Sequence, residues 1–116
     1  MEKIVQQGLL YDFYGELLTD HQKQVYERAV YENYSLGEIA DEMGISRQAV
    51  HDLIKRCDRI LEEYEDKLGL MKKFGEIRER VESIKSTLGE MESPEYGFDS
   101  EREEAVRLCD EIVDLL

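Results

Sequence analysis

Residues 34–60 read "YSLGEIADEMGISRQAVHDLIKRCDRI", a stretch with the pattern of two short helices joined by a tight turn. Ser35 followed by Glu38 is a capping-box pattern, in which each side chain bonds a backbone N–H of the other residue at the start of a helix. Gly44 stands where a helix would end in a left-handed residue, and Ser46 can cap the helix that follows. The stretch therefore predicts a helix-turn-helix unit.

The first helix of this unit should span residues 36–43, and the second should start at residue 47. At about 100° per residue, the second helix is strongly amphipathic. Its apolar arc consists of Ala49, Val50, Leu53, Ile54, Cys57, Ile60 and Leu61. Its polar arc consists of Arg47, Gln48, His51, Asp52, Lys55, Arg56, Asp58 and Arg59. We expect the core of the unit to contain Leu36, Ile39, Ala40, Ile45, Val50, Leu53, Ile54 and Cys57.

The polar arc of the second helix leans basic, because positions 46–60 hold four basic and two acidic residues. A basic face at this place in a helix-turn-helix indicates contact with nucleic acid, but an ordinary solvated helix surface has the same pattern. Capping is a sufficient explanation for Ser35 and Ser46. His21 and His51 fall at polar positions that predict surface side chains, without the neighbours that a catalytic or metal site needs.

The residues before the unit predict two further helices and complete an all-α fold. Val5, Leu9, Leu10, Phe13, Tyr14 and Leu17 recur at helical spacing and form a predicted core face. Thr19 with Gln22 is a second capping-box pattern, which opens a helix running to about residue 32. With 37% charged residues, one proline and no tryptophan, the composition also favours long helices. We predict a four-helix domain over residues 1–61.

Residues 62–116 are predicted to form an acidic helical extension that mediates dimerisation. A seam of apolar residues alternates spacings of three and four, which is typical of helix packing. The seam consists of Phe74, Ile77, Val81, Ile84, Leu88 and Met91. A linker containing Pro94 and Gly97 precedes a last helix, which Asp99 or Ser100 can cap.

Two arrangements of the extension remain open at this stage, because Gly69 or Gly75 could interrupt the helix that carries the seam. A helix continuous from Arg47 would leave the seam outside the four-helix core. That arrangement favours a homodimer through the seam. A break at Gly69, with the seam folded back on residues 5–33, gives a monomer.

The formal net charge of −13 limits how the chain can meet nucleic acid. Residues 1–60 hold 7 basic and 11 acidic residues, whereas residues 61–116 hold 8 and 17. A net negative field repels nucleic acid at long range, so binding needs a locally basic surface and should depend strongly on salt. The acidic half fits either a solvated helix surface or a docking surface for a basic protein.

Several other classes of protein are disfavoured by the same sequence. No phosphate loop, nucleophile elbow or pair of catalytic carboxylates is visible, so we expect neither an enzyme nor a cofactor. Cys57 and Cys109 lack neighbours at metal-ligand spacing and are predicted to be reduced core thiols. No apolar run reaches the roughly 20 residues that cross a bilayer, and we expect a cytoplasmic protein.

The stretches that identify a family lie on both sides of the helix-turn-helix. They read "LYDFYGELLTDHQKQVY", "SLGEIADEMGISRQAVHDLIKR" and "YEDKLGLMKKF", in this order. The chain resembles the YlxM family of small helix-turn-helix proteins, over roughly residues 9–90. It also resembles region 4 of bacterial sigma factors over about 45 residues. The resemblance implies a sigma-region-4-like fold and a role in the signal recognition particle pathway.

Two functional hypotheses follow from the residues and the resemblance. In sigma region 4 the start of the second helix enters the major groove, and the matching positions are Arg47, Gln48, His51 and Asp52. The first hypothesis is a DNA-binding regulator in which these residues and Lys55 meet the groove while Arg56 and Arg59 reach phosphates. The second is a protein-interaction module, in which the acidic extension binds a component of the signal recognition particle system and the helix-turn-helix is scaffold.

Overall fold

A computed structural model describes residues 2–90 and 99–116 of the chain. It contains six α-helices and one 3₁₀ turn, and no strand occurs within those residues. The helices are α1 (Lys3–Tyr14), α2 (Asp20–Val30), α3 (Leu36–Met43), α4 (Arg47–Leu68), α5 (Leu70–Glu90) and α6 (Asp99–Leu115), and the 3₁₀ turn is Gly15–Leu17. The predicted all-α helix-turn-helix fold is confirmed.

The predicted helix starts are confirmed by their hydrogen bonds. At the start of α2 the side chains of Thr19 and Gln22 exchange bonds with each other's backbone N–H groups. Ser35 and Glu38 form the same capping box at the start of α3. These bonds satisfy N–H groups that have no partner inside the helix, so the sequence itself defines where each helix begins.

The turn between α3 and α4 has the predicted chemistry. Gly44 ends α3 with φ 69° and ψ 32°, a left-handed conformation that costs glycine little. Ser46 then accepts a hydrogen bond from the N–H of Ala49 at 3.0 Å and so caps α4. The short turn fixes α4 as the second helix of the motif.

Gly69 separates α4 from α5, so the helix is interrupted at the first of the two glycines that the sequence offered. Its φ of 61° and ψ of 24° are again left-handed, and its N–H donates to the carbonyl of Glu65 at 2.8 Å. The helix is therefore not continuous from Arg47 to the seam. Gly75, in contrast, lies inside α5.

The chain divides into two compact units, an N-terminal unit (Met1–Met71) and a C-terminal unit (Lys72–Leu116). The division falls after Met71, and the start of α5 is bonded to Tyr14 of α1 and to Glu65 of α4. The Leu70 N–H donates to the Tyr14 hydroxyl at 3.1 Å, and the Met71 N–H donates to the Glu65 carboxylate at 2.9 Å. Tyr14 also donates to Glu65.

Two groups of buried residues form the core of the N-terminal unit. One joins α1, α2 and α4 and consists of Leu10, Tyr14, Leu18, Tyr26, Cys57 and Leu61. The other joins α2, α3 and α4 and consists of Val25, Ile39, Ala40 and Val50. Partly buried Ile45, Leu53 and Ile54 pack against these groups, as do Tyr11 and Phe13. The predicted rotational setting of α4 is confirmed.

Leu36 corrects the predicted core, because it is 39% exposed. Its position around α3 is apolar, but it is the first residue of the helix and does not pack with the buried group that contains Ile39 and Ala40. Ala49, at the edge of the apolar arc of α4, is also exposed.

Asp58 was assigned to the polar arc and is instead buried, with 9% of its surface exposed. Its carboxylate accepts hydrogen bonds from the Tyr26 hydroxyl at 2.6 Å and from the Gln7 amide at 2.9 Å. Burial and the Asp58 carboxylate raise the pKa of Tyr26, so this hydroxyl remains a donor at neutral pH. The three side chains connect α1, α2 and α4.

In the C-terminal unit, α5 and α6 pack as an antiparallel hairpin. Lys85 and Asp110 form an ion pair of 2.7 Å, which raises the pKa of Lys85. Gly89, nearer the end of α5, shares a surface depression with Arg102 and Val106, nearer the start of α6. Together these contacts show that the helices run in opposite directions.

The hairpin buries only part of the predicted seam. Among the described residues of this unit, Val81 and Cys109 are the only buried ones. Phe74, Ile77 and Leu88 are partly buried, and Ile84 is exposed. The seam residue Met91, and the linker residues Pro94 and Gly97, lie outside the described part of the chain. Cys57 and Cys109 are free buried thiols, as predicted.

Candidate nucleic-acid interface

Helix α4 places all seven predicted nucleic-acid-binding residues on its exposed face. These residues are Arg47, Gln48, His51, Asp52, Lys55, Arg56 and Arg59. The opposite face is fixed in the core by Val50, Cys57 and Leu61, each of which is fully buried. Because these buried side chains prevent rotation of the helix about its axis, the polar residues keep one fixed orientation on the protein surface.

Three of the predicted base-reading residues form one cluster. The Gln48 amide donates to Asp52 Oδ1 at 2.9 Å, and His51 Nδ1 lies 3.5 Å from the same oxygen. Asp52 is therefore not an isolated negative charge on the exposed face of α4. Its carboxylate orients the Gln48 amide, which is a group that can pair with adenine.

Arg47 lies across the helix-turn-helix against α3. A Cβ atom at Gly37 would stand 3.1 Å from both Nε and Nη2 of Arg47. The absence of a side chain at Gly37 thus provides the space that the guanidinium occupies. Arg47 is the first residue of α4, and this end of the helix is the one that enters the major groove in helix-turn-helix proteins.

Lys3 adds a charge to this face that the sequence interpretation missed. The neighbouring Lys3 ammonium lowers the pKa of Lys55, which places the two side chains next to each other. Because Asp58 is buried, Asp52 is the only acidic residue of α4 between positions 46 and 60 that is exposed. The face is therefore more positive than the sequence pattern indicated.

A groove runs along one flank of α4, beside the start of α2. Its volume is about 590 Å³. The lining residues are Thr19, His21, Gln22, Ala49, Asp52, Leu53, Arg56 and Arg59. His21, which the sequence predicted only as a surface residue, lies in this groove. A smaller groove of about 300 Å³ shares Gln22 with it and continues past Tyr64 to Lys67.

Other features of the described residues add no further site. No group of three or more metal-ligating side chains occurs in the described part of the chain. No helix within those residues is long and apolar enough to cross a bilayer. The burial of Cys57 raises the pKa of its thiol to about 11, which keeps it protonated and unreactive.

The capped helix pair and the exposed face of α4 define the chain as a helix-turn-helix protein. Residues 1–97 match the family described as "Putative helix-turn-helix protein, YlxM / p13 like", so the chain belongs to this family, UPF0122.

Individual relatives agree with this assignment. A UPF0122 protein of Geobacillus kaustophilus is 42% identical over 97% of this chain and 98% of its own length. The UPF0122 protein YlxM of Bacillus subtilis is 47% identical over 73% of this chain and 77% of its own. A UPF0122 protein of Caldanaerobacter subterraneus is 51% identical over 69% of this chain and 68% of its own.

Proposed function

We propose that the chain is a regulatory protein that binds duplex DNA with α4 in the major groove. The observation that carries the proposal is the exposed face of α4, on which every predicted contact residue is accessible and four of seven are basic. By likeness to sigma region 4, the first residues of α4 meet the bases. Arg47 suits guanine and Gln48 suits adenine, while Lys55 and the later arginines suit the backbone.

The proposal is tested by selecting bound sequences from a randomised duplex at low salt. We expect a preferred sequence to be enriched. Arg47→Ala should weaken binding to that sequence by about 10- to 100-fold and relax the choice at one base pair, because a bidentate guanine contact is lost. Asp52→Asn should instead tighten binding to every duplex a few-fold, since it removes a negative charge from the exposed face of α4.

Arg78→Ala is the matched control for Arg47→Ala, because Arg78 is an exposed arginine on α5, outside the interface. It should leave the enriched sequence and the affinity unchanged. A selection that enriches nothing, together with equal effects of the two alanine substitutions, would contradict DNA reading by α4.

We also propose that two copies of the chain assemble through the hairpin of α5 and α6. Four large apolar side chains of the hairpin are exposed. Ile84 is 50% exposed, Leu108 47%, Ile112 42% and Leu115 86%. A two-helix hairpin with so few buried residues gains little from its own packing, and a second hairpin would complete a four-helix bundle. Such a dimer would offer two α4 helices to a two-fold operator.

A second candidate function is binding of a basic protein by the acidic extension, with the helix-turn-helix as scaffold. The charge of residues 61–116, where 17 acidic residues stand against 8 basic ones, favours it. The family resemblance makes a component of the signal recognition particle the first partner to test.

Capture of partners from bacterial lysate, with and without nuclease, separates the two functions. If DNA binding is the function, we expect nuclease to remove every captured partner, because they are held through nucleic acid. Protein partners that remain after nuclease, and that dissociate at high salt, would favour the interaction module.

A further inference from the structure

The groove between α2 and α4 contains positive charge that the fold does not use. Within residues 2–90 and 99–116, neither Arg56 nor Arg59 has an ion-pair partner, whereas Arg28 of the same unit is bound to Glu32 and Glu42. Both arginines are exposed and line the groove. An acidic chain that keeps two arginines free beside one concavity presents a site for an anion.

The start of α2 closes the other side of the groove. Its first turn is already capped by Thr19 and Gln22, so the helix end is not the source of the binding charge. His21 lies between these two capping residues and lines the groove with Gln22 on the α2 side, while Arg56 and Arg59 line it on the α4 side. The α4 wall therefore carries two guanidinium groups and the Asp52 carboxylate, and the α2 wall carries the imidazole of His21 and the amide of Gln22.

The groove on the protein adjoins the exposed face of α4 that is proposed to meet the major groove of DNA. Asp52 lines the groove and also accepts from Gln48 on the base-reading face, so the two surfaces adjoin at that residue. A strand whose bases meet the start of α4 has its phosphates at the flank of the helix. A groove of about 590 Å³ is large enough for a phosphodiester group with its water.

We propose that this groove binds a backbone phosphate of the DNA strand that flanks α4, with Arg56 and Arg59 as the cationic ligands and His21 and Gln22 on the facing wall. The inference rests on the proposed function and identifies one contact between the protein and a DNA strand. Phosphate contacts position a protein on DNA without reading sequence. The groove therefore contributes affinity that is independent of sequence.

The test uses the full chain, two unrelated fluorescent duplexes and salt titrations followed by anisotropy. Arg56→Gln should weaken binding to both duplexes by about tenfold and reduce the slope of log affinity against log salt by about one. His21→Glu should weaken both by about fivefold, because it places a negative charge in the groove. An acidic residue in the first turn of a helix does not destabilise it, so loss of folding is not the cause.

Gln24→Glu is the matched control, since Gln24 is exposed on the same helix, does not line the groove and also gains a carboxylate. It should change either affinity by less than about twofold. If the unmodified chain binds duplex but His21→Glu behaves like Gln24→Glu, the groove assignment is overturned and the proposed function stands. If the unmodified chain binds no duplex, the proposed function fails, and the groove assignment fails with it.

Two other occupants are distinguished by the same variants. Inorganic phosphate or a mononucleotide that raises the melting temperature at millimolar concentration, with duplex binding insensitive to Arg56→Gln, would assign the groove to a free metabolite. A polyglutamate peptide bound through Arg56, with duplex binding again unaffected, would assign it to an acidic protein segment. Either result overturns the assignment to the DNA backbone.

Discussion

Replacing Asp58 with alanine is expected to lower the free energy of unfolding by about 3 kcal/mol. The Tyr26 side chain is fully buried and would lose the acceptor of its hydroxyl, while the Gln7 amide would lose a partner 51 residues away in sequence. Urea denaturation followed by circular dichroism measures the change.

Asp52→Ala is the matched control for this substitution, because Asp52 is an exposed aspartate on the same helix. It should alter the free energy of unfolding by less than about 0.5 kcal/mol. Asp58→Asn should fall between the two, since the amide oxygen can still accept from Tyr26. Equal stabilities for Asp58→Ala and Asp52→Ala would show that the buried bonds contribute nothing.

The second large effect is expected in the assembly of the chain. Leu108→Asp should raise the dissociation constant of the proposed dimer by about 1,000-fold. In a two-fold interface each substitution occurs twice, and the loss of two buried leucines amounts to about 4 kcal/mol. Light scattering over a range of micromolar concentrations measures the mass, which should fall toward the 13.6 kDa of one chain.

The structure improves the design of this experiment. Val81 belongs to the predicted seam but is buried within the chain, so a charge there would unfold the hairpin itself. Leu108 is exposed and avoids that ambiguity. Ser86→Asp adds the same charge to an exposed polar position of α5 and should leave the dimer intact. A mass of 13.6 kDa for the unmodified chain at every concentration would rule out the dimer.

The features that could be predicted from the sequence are those that depend on neighbouring residues. Thr19 with Gln22, Ser35 with Glu38, and Gly44 each act within one turn of helix, so their residue types alone predicted where α2 and α3 begin and where α3 ends. The exposed residues of α4 followed from its periodicity for the same reason.

The features that were missed depend on contacts between distant segments. Asp58 lies beside the apolar arc of α4. It is buried only because α1 and α2 pack there and bring the Gln7 and Tyr26 side chains that bond to it. Lys3 reaches Lys55, and His21 reaches the flank of α4, by the same long-range packing. Gly69 was a candidate break. The amino-acid sequence could not distinguish a glycine that ends a helix in a left-handed conformation from a glycine inside a helix, such as Gly75.

The Asp58 bonds also determine whether the helix-turn-helix motif is portable between proteins. A fragment that starts at Thr19 would contain both helices of the motif, both caps and the whole polar face of α4. It would nevertheless lack Gln7 and the apolar cover that Leu10 and Tyr14 provide over Cys57 and Leu61. Transplanting the motif into another scaffold, or exchanging it between relatives by recombination, therefore requires that α1 move with it as a single heritable module.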